Sequence, residues 1–298
     1  MSSDGNGWVH CALGHRHWGL FGAAGLLIHD GRRVVLQHRA PWTHEGGTWA
    51  LPGGARDSHE DVVTAALREA HEEAALEPDS VTPLGWWRDD HGGWSYTTIL
   101  ARPRRELHPH AANPESTEVR WWPVAEVERL SLHQGFAGAW PMLREPPTRL
   151  ALIVDGANVV GSRPDGWWHD RLGAARRLRD DLGPVARDGV AASELPADAA
   201  ARLAGLYPEL TLVVEGAARP LAAEPLTTGG WWDVGVTAAA RDGDSAVVEA
   251  ARESAAAGRP TVVVSADRGL RARLDEDVRA VGPSWLLDRS TAAPTSAG

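Results

Sequence analysis

The chain has 298 residues, 43% of them apolar, a single cysteine and a formal net charge of −10. That length exceeds what one compact core usually holds, so two domains are expected. With 13 arginines against 19 acids before residue 149 and 17 against 21 from there on, neither half carries the basic field of a dedicated duplex-DNA binder.

Lysine is absent. Small anionic ligands held through metal ions remain compatible with the acidic balance. Cys11 alone excludes an internal disulfide and fits a reducing compartment. The N-terminus has no basic stretch followed by an apolar one, and the longest apolar run, near Gly19–Ile28, is too short to span a bilayer. The sequence therefore reads as cytoplasmic, with no membrane partner and no signal for oligomeric state.

Residues 1–17 read as polar and irregular. "LFGAAGLLIHDGRRVVLQHRA" reads as two strands joined by an Asp30-Gly31 turn. A glycine loop at 52–54 leads to a helix expected over Ser58–Ala74, with Asp57 or Ser58 as N-cap. "LGWWRDD" and "WSYTTILARP" follow as strands joined by His91-Gly92-Gly93, and "EVRWWPVAEV" as a last strand entering a short helix. The proline-rich stretch from Pro141 reads as a linker over 141–148. Beyond it, "RLALIVDGANVV", "LTLVVEG" and "PTVVVSAD" are apolar strands, each followed by an acid. Between them lie an arginine-rich helix near Trp168–Leu182 and an alanine-rich one in "DSAVVEAARESAAAG". This alternation predicts a doubly wound parallel α/β sheet.

In the expected first helix, Glu69, Glu72 and Glu73 stand at i, i+3 and i+4, so three carboxylates share one face. Glu60 can converge on them, Arg68 can tie one down, and Gly53-Gly54 allow close backbone approach. Such oxygen clusters suit Mg²⁺ or Mn²⁺ shared with substrate phosphates.

The spacing of Gly54, Glu60, Arg68, Glu69, Ala70, Glu72, Glu73 and Leu76, preceded by "WALPG", resembles the Nudix hydrolase box. The resemblance covers residues 18–140. It implies an α/β/α sandwich with a mixed sheet that hydrolyses a phosphoric anhydride in a nucleoside diphosphate derivative. It also implies Glu72 and Glu73 as main metal ligands with the Gly53 carbonyl nearby, Glu60 as a supporting ligand, and Glu69 as ligand or as the base orienting water. A further acid from a later strand is expected at Glu118, with Glu115 in reserve. Ala75 departs from the pattern, standing where the family prefers a glycine that ends the helix left-handed.

"DGANVVGSRPDGWW" and "VVVSADRGLRAR" resemble the NYN branch of PIN-like nucleases, over residues 149–288. That resemblance implies a catalytic metal site at Asp155, Asp244 and Asp267, supported by Asn158, Glu215 and Asp242. Arg268, Arg271 and Arg273 would meet the backbone of single-stranded RNA. Arg171, Arg176, Arg177 and Arg179 line another helix, equally readable as a solvated face. Residues 289–298 read as a disordered tail.

The expectation is thus a nucleotide-sanitising or ADP-ribose-type Nudix enzyme fused to a metal-dependent ribonuclease. Two alternatives stand beside it: an RNA 5′-end processing enzyme using both halves, and a Nudix hydrolase with a non-catalytic RNA- or partner-binding half. Among weaker signals, Cys11, His15 and His17 are soft ligand types that do not reproduce a structural zinc spacing. Trp42, Trp49 and Trp94 offer base-stacking faces, and His91 and Tyr96 have no assignable role.

Overall fold

The computed structural model describes residues 4–164, 166–195, 200, 202–226 and 230–291. Two compact units emerge, one from residues up to Pro147 with Arg202–Ala204, the other from Thr148 onward.

In the first unit the opening segment is not irregular. β1 (Trp8–His10) and β2 (Arg16–Trp18) pair antiparallel, with Trp8 edge-on to Trp18 at 5.3 Å between ring centres. Gly14, at φ +81°, supplies the left-handed step that their turn needs. β3 (Ala23–Ile28) and β4 (Arg33–Arg39) follow. The Asp30-Gly31 turn is present, its Asp30 carboxylate accepting the N–H groups of Arg32 and Arg33 at 2.9 and 2.7 Å. Its strands nevertheless part beyond a single His29–Val34 bridge, correcting the expected hairpin. β3 is buried along its whole length, so it needs partners on both edges and finds them elsewhere.

Those partners come from β5 (Trp49–Ala50), β6 (Gly53–Ala55), helix α1 (Val62–Ala74), β7 (Val81–Asp90), β8 (Ser95–Pro103) and β9 (Ser116–Pro123). β7, β8, β3 and β6 lie side by side, β3 parallel to β8 and the other pairs antiparallel. That sheet is mixed, as expected, and β5, β4 and β9 make a separate antiparallel sheet. α1 covers β3, β6 and β8 with Val63, Ala66, Leu67 and Ala70. Helix α2 (Gln134–Leu143) runs through Pro141, three residues into the stretch read as linker. Proline forfeits a helical hydrogen bond there, but Trp140 and Leu143 are buried with Leu36 and Leu100, and that burial holds the turn together.

α1 starts later than its charge pattern suggested. Its N-cap is Asp61, whose carboxylate accepts Thr64 N–H at 2.7 Å, so Glu60 lies in the loop ahead of the helix. At the far end Ala75 adopts φ 56°, ψ 37°, with Ala75 N–H donating to His71 O and Leu76 N–H to Ala70 O. This is a left-handed αL-type C-cap with a Cβ where glycine is easier, and Leu76 beside it is buried.

In the second unit β10 (Leu150–Asp155) is the centre of a five-stranded parallel sheet. Helices α3 (Gly156–Gly161) and α4 (Arg171–Asp188) and a short antiparallel pair, β11 (Val190–Ala191) with β12 (Gly205–Leu206), come next. Then follow β13 (Pro208–Val214), β14 (Gly235–Ala238), α5 (Gly243–Ala256), β15 (Thr261–Val264), α6 (Arg268–Arg271), β16 (Val278–Val281) and α7 (Pro283–Thr291). The sheet order is β14-β13-β10-β15-β16, with every pair parallel. Arg289–Thr291 belong to α7, correcting part of the expected tail; 292–298 lie outside the described residues. No helix among the described residues is long and apolar enough to cross a membrane.

The left-handed alanine generates the first prediction. Ala75→Gly should stabilise the first unit by up to about 1 kcal/mol, read as a higher urea midpoint in the full chain. An unchanged or lower midpoint would show that the cap carries no strain.

Candidate functional site

The carboxylates of the first unit are gathered by one guanidinium. Arg68 donates to both oxygens of Glu60 at 2.7 and 2.9 Å, to Glu69 Oε1 at 2.8 Å and to Ala55 O at 3.0 Å, with Glu72 Oε2 at 3.4 Å. Glu60 is buried, which by itself raises its pKa, yet the Arg68 hydrogen bonds and charge and the Asp57 N–H together hold it below the usual carboxylate range. The Arg68 guanidinium is correspondingly held more firmly protonated, chiefly by its bonds to Glu60. Glu72, half exposed, faces outward.

Glu73 is 2% exposed. Its Oε2 accepts Gly53 N–H at 2.8 Å and Gln37 Nε2 at 3.0 Å, while Gln37 Oε1 accepts the Ser116 hydroxyl at 2.5 Å. Burial pushes the Glu73 carboxyl up to about 8; the Glu69 charge adds to this, the Gly53 N–H and Arg39 oppose it, and Glu115 adds again. Glu69 is also raised, first by burial, although Arg68 works against the shift. Ionising Glu69 and Glu73 thus costs more than the nearby cations repay. The cluster's donors are hard oxygens, so a divalent cation fits.

Glycine makes this proximity possible. A Cβ on Gly54 would lie 2.6 Å from Glu69 Oε1, and one on Gly53 would meet Gly25 Cα and the Tyr96 hydroxyl at 2.6 Å each. The phenol of Tyr96 is pushed up by burial and then by the charge of Glu73.

One expectation needs correction. Glu118 is exposed on β9, 3.2 Å from Arg120 and opposite His38, away from the cluster. The acid whose charge acts on both Glu69 and Glu73 is Glu115, because the chain turns into β9 just after it. Gly53 gives its N–H to the Glu73 carboxylate of the cluster. Gln37, Ser116 and Tyr96 were not singled out as contributors, although a glutamine inside the apolar run "VVLQHR" is the kind of buried polar group that needs a reason. Of the tryptophans, Trp49 is core against Trp122 and Trp94 is stacked on His17, whereas Trp42 is 71% exposed.

Comparison with known proteins agrees with this geometry. The NUDIX domain model matches residues 20–145. A Mycobacterium tuberculosis protein named "Putative 8-oxo-dGTP diphosphatase 3" is 45% identical over 163 residues, covering 51% of this chain and 75% of its own. The chain belongs to the Nudix family. A Bifidobacterium longum protein named "Nucleoside triphosphate pyrophosphatase/Nudix hydrolase fusion protein" is 43% identical over 152 residues, 47% of this chain. The match spans only 31% of that relative's length. The crystal structure of the Nudix hydrolase RenU from M. smegmatis is 46% identical over 47% of this chain and 93% of its own, with a TM-score of 0.45.

The second unit gathers its acids differently from the Nudix helix. Asp155 Oδ1 caps α3 through Asn158 N–H at 3.1 Å, and Oδ2 accepts the Ser265 hydroxyl at 2.8 Å. Asn158 Oδ1 accepts Ala266 N–H at 2.8 Å, tying the ends of β10 and β15 together. Asp267 caps α6 through Leu270 N–H, Asp242 caps α5 through Ser245 N–H, and Glu215 accepts Gly243 N–H. Burial raises the Asp155 carboxyl, with Asp244 and Glu215 adding to the shift; Asp244 is raised by burial and then by Asp267. Asp155, Glu215, Asp244 and Asp267 therefore share one carboxyl edge. A groove of about 640 Å³ lies beside it, lined by Ala157, Asn158, Gly161, Ser162, Ala266 and Ser284 among others.

The arginines fit their expected role unevenly. Arg268 is exposed beside Asp267. Arg271 Nε donates to Ser265 O at 2.7 Å, and Arg273 reaches the Ser245 hydroxyl at 3.0 Å. Arg176 and Arg179 are paired with Glu224, which favours the solvated-face reading of α4.

The tight glycine gives a direct test. Gly54→Ala should displace the Glu69 carboxylate and lower turnover of any Nudix substrate by roughly 10²-fold with the fold retained by circular dichroism, the scale expected of a displacement near 1 Å. Unaltered kcat would show that Glu69 does not act from this position.

Proposed function

We propose that the Nudix unit is a divalent-metal pyrophosphohydrolase that splits a phosphoric anhydride bond in a nucleoside diphosphate derivative. The observation that carries this is the under-neutralised pair of buried acids, Glu69 and Glu73, held around Arg68 and the Gly53-Gly54 backbone. Glu72, Glu73, Glu69 and Glu60 are the residues that would hold Mg²⁺ or Mn²⁺, with Glu115 as the further acid. When bound, the metal neutralises the diphosphate oxygens and lowers the pKa of water.

The chain's own residues set the rest. Gly53 N–H and Gln37 fix the Glu73 carboxylate, and Ser116 fixes Gln37 in turn. Arg68 keeps Glu69 anchored, while burial raises its proton affinity toward the range useful to a general base. Glu69 would orient and deprotonate the attacking water. Products would be a nucleoside monophosphate and either pyrophosphate or a second phosphorylated fragment. The name of the M. tuberculosis relative makes oxidised purine nucleotides the first substrates to screen, with ADP-ribose next. Glu73→Gln should cost roughly 10²–10³-fold in kcat. Near-normal turnover at ordinary Mg²⁺ would remove Glu73 from the metal site.

We infer a second, separate activity for the other unit: metal-dependent cleavage of single-stranded RNA on a PIN-like sheet. It is favoured by the convergence of Asp155, Asp244, Asp267 and Glu215 at one carboxyl edge beside a groove. In the full chain, Asp155→Asn should abolish RNA cleavage with Mn²⁺ and leave nucleotide hydrolysis intact, and Glu73→Gln should do the reverse. If wild-type protein leaves diverse RNAs uncut, a binding role for this unit becomes the better account. If both variants impair one shared RNA substrate, the 5′-end processing reading gains.

A further inference from the structure

Two turns of the first unit meet edge to edge. One joins β1 to β2, closed by Cys11 N–H on His15 O at 3.0 Å and Gly14 N–H on Cys11 O at 3.0 Å. The other joins β7 to β8, closed by His91 N–H on Trp94 O at 2.9 Å. Ala12 N–H donates to Gly92 O at 2.8 Å across the junction, and a Cβ on Gly92 would crowd Ala12 at 2.9 Å. The junction places one ligand atom each from Cys11, His15, His17 and His91 within 4.8 Å of all the others.

We propose that Cys11, His15, His17 and His91 bind a structural Zn²⁺ ion in tetrahedral coordination. Zn–S and Zn–N bonds of about 2.3 and 2.0–2.1 Å imply ligand-to-ligand edges of roughly 3.3–3.6 Å. The set therefore needs only a small contraction, within reach of side-chain rotation. A thiolate with three imidazoles is a soft, nitrogen- and sulfur-rich set suited to zinc, in contrast to the carboxylates of the Nudix helix, which suit magnesium or manganese. With four protein ligands the site has no open position, so its role is structural.

Beyond proximity, the histidines are oriented for a cation. His17 Nε2 and His91 Nδ1 are buried and have no hydrogen-bond partner, a condition native interiors rarely tolerate without a ligand. His91 Nε2 lies 3.1 Å from Asp89 Oδ2, the carboxylate–histidine pairing that fixes the ring's tautomer and leaves Nδ1 as the free lone pair. The His17 ring is stacked on Trp94 at 3.9 Å and 9°, and the Trp94 indole N–H is itself held by Gly19 O at 3.0 Å. On binding, the Cys11 thiol gives its proton to solvent and coordinates as thiolate.

Among the described residues, two other groupings of ligand-type side chains are close enough to consider, and both have a simpler explanation. In His44–Glu45–His133, Glu45 accepts Gln134 N–H at 2.7 Å; in Asp4–Asp57–His59, Asp57 accepts Gly5 N–H and Asp4 accepts Ser58. Their carboxylates are caps and turn acceptors.

The ion has a clear structural use. Strands as short as β1 and β2 form a marginal hairpin alone. Zinc would staple that hairpin to the β7–β8 turn. The preceding residues, Asp4 and Gly5, bond to Ser58 and Asp57 in the loop that carries Glu60, so the staple also backs that loop.

The test uses tag-free full-length protein. After dialysis against metal-free buffer the wild type should retain about one zinc per chain by elemental analysis. Replacement with Co²⁺ should give the intense visible absorption of a tetrahedral centre and a thiolate-to-cobalt charge-transfer band. Cys11→Ser should lose the charge-transfer band, and His91→Gln should lose stoichiometric binding. Stripping zinc with a chelator should lower the melting temperature of the wild type, and re-addition should restore it, a readout that needs no variant to fold. Glu73→Gln should leave the cobalt spectrum unchanged. The proposal is overturned if folded wild-type protein holds far less than one zinc, if its cobalt adduct is octahedral without a thiolate band, or if Glu73→Gln abolishes the spectrum.

Discussion

The guanidinium of Arg68 is the interaction on which the first unit depends. Glu60, Glu69, Glu72 and Glu73 would repel one another, and three of them are largely withdrawn from water. Arg68 meets this with five bonded oxygens from a loop, a strand end and its own helix, so charge compensation and loop fixation are one event. The fork geometry matters. A lysine has no planar array with which to hold both Glu60 oxygens while also reaching Glu69 and Ala55. Because Arg68 serves Glu60 first, the charged forms of Glu69 and Glu73 stay incompletely compensated, which suits the proposed cation better than a closed salt-bridge network would.

A second constraint is steric. The helix can present its acids to the backbone only if no Cβ intervenes, and Gly25, Gly53 and Gly54 form the contact zone. Gly53 uses the closeness to give its N–H to Glu73, and Gly54 uses it to admit Glu69. The parting of β3 and β4 serves the same end. β3 brings Gly25 against β6, while β4 carries Gln37 beneath Glu73. A simple hairpin between those strands would leave one of the two jobs undone.

How much of this was legible depends on range along the chain. Helical periodicity is local, so Glu69, Glu72, Glu73 and their Arg68 partner could be read directly, as could the left-handed alanine. Strand ends followed by acids are also local, and a parallel sheet gathers them by topology alone. What escaped is long-range. Gln37 and Ser116 matter only once β4 and β9 pair. Glu118 looked like the later acid because strand position hides which residue turns toward the helix, and Glu115 precedes the strand instead. Cys11, His15 and His17 lacked a fourth partner in sequence, and His91 joins them only because two hairpin turns touch. The start of α1 was misjudged for a different reason. Asp57, Ser58 and Asp61 are all competent caps, and the choice fell to Asp61 once Glu60 was captured by Arg68.

The two acidic centres solve one problem by opposite means. On the Nudix helix Glu69, Glu72 and Glu73 project from beyond the first turn of α1, where the backbone has no spare N–H to offer, so a side-chain cation and a glycine loop must hold them. At the sheet edge of the second unit, Asp155, Asp242 and Asp267 each cap a helix, and free N–H groups at the helix starts do the holding. Capping occupies one oxygen and leaves the other available, except at Asp155, whose second oxygen takes the Ser265 hydroxyl. Asp244 is not a cap; it sits one residue inside α5, partly buried and repelled by Asp267. Asp155 and Asp244 are both raised first by burial, and each also feels the other acids of this edge, so the proposed metal chemistry would draw on both.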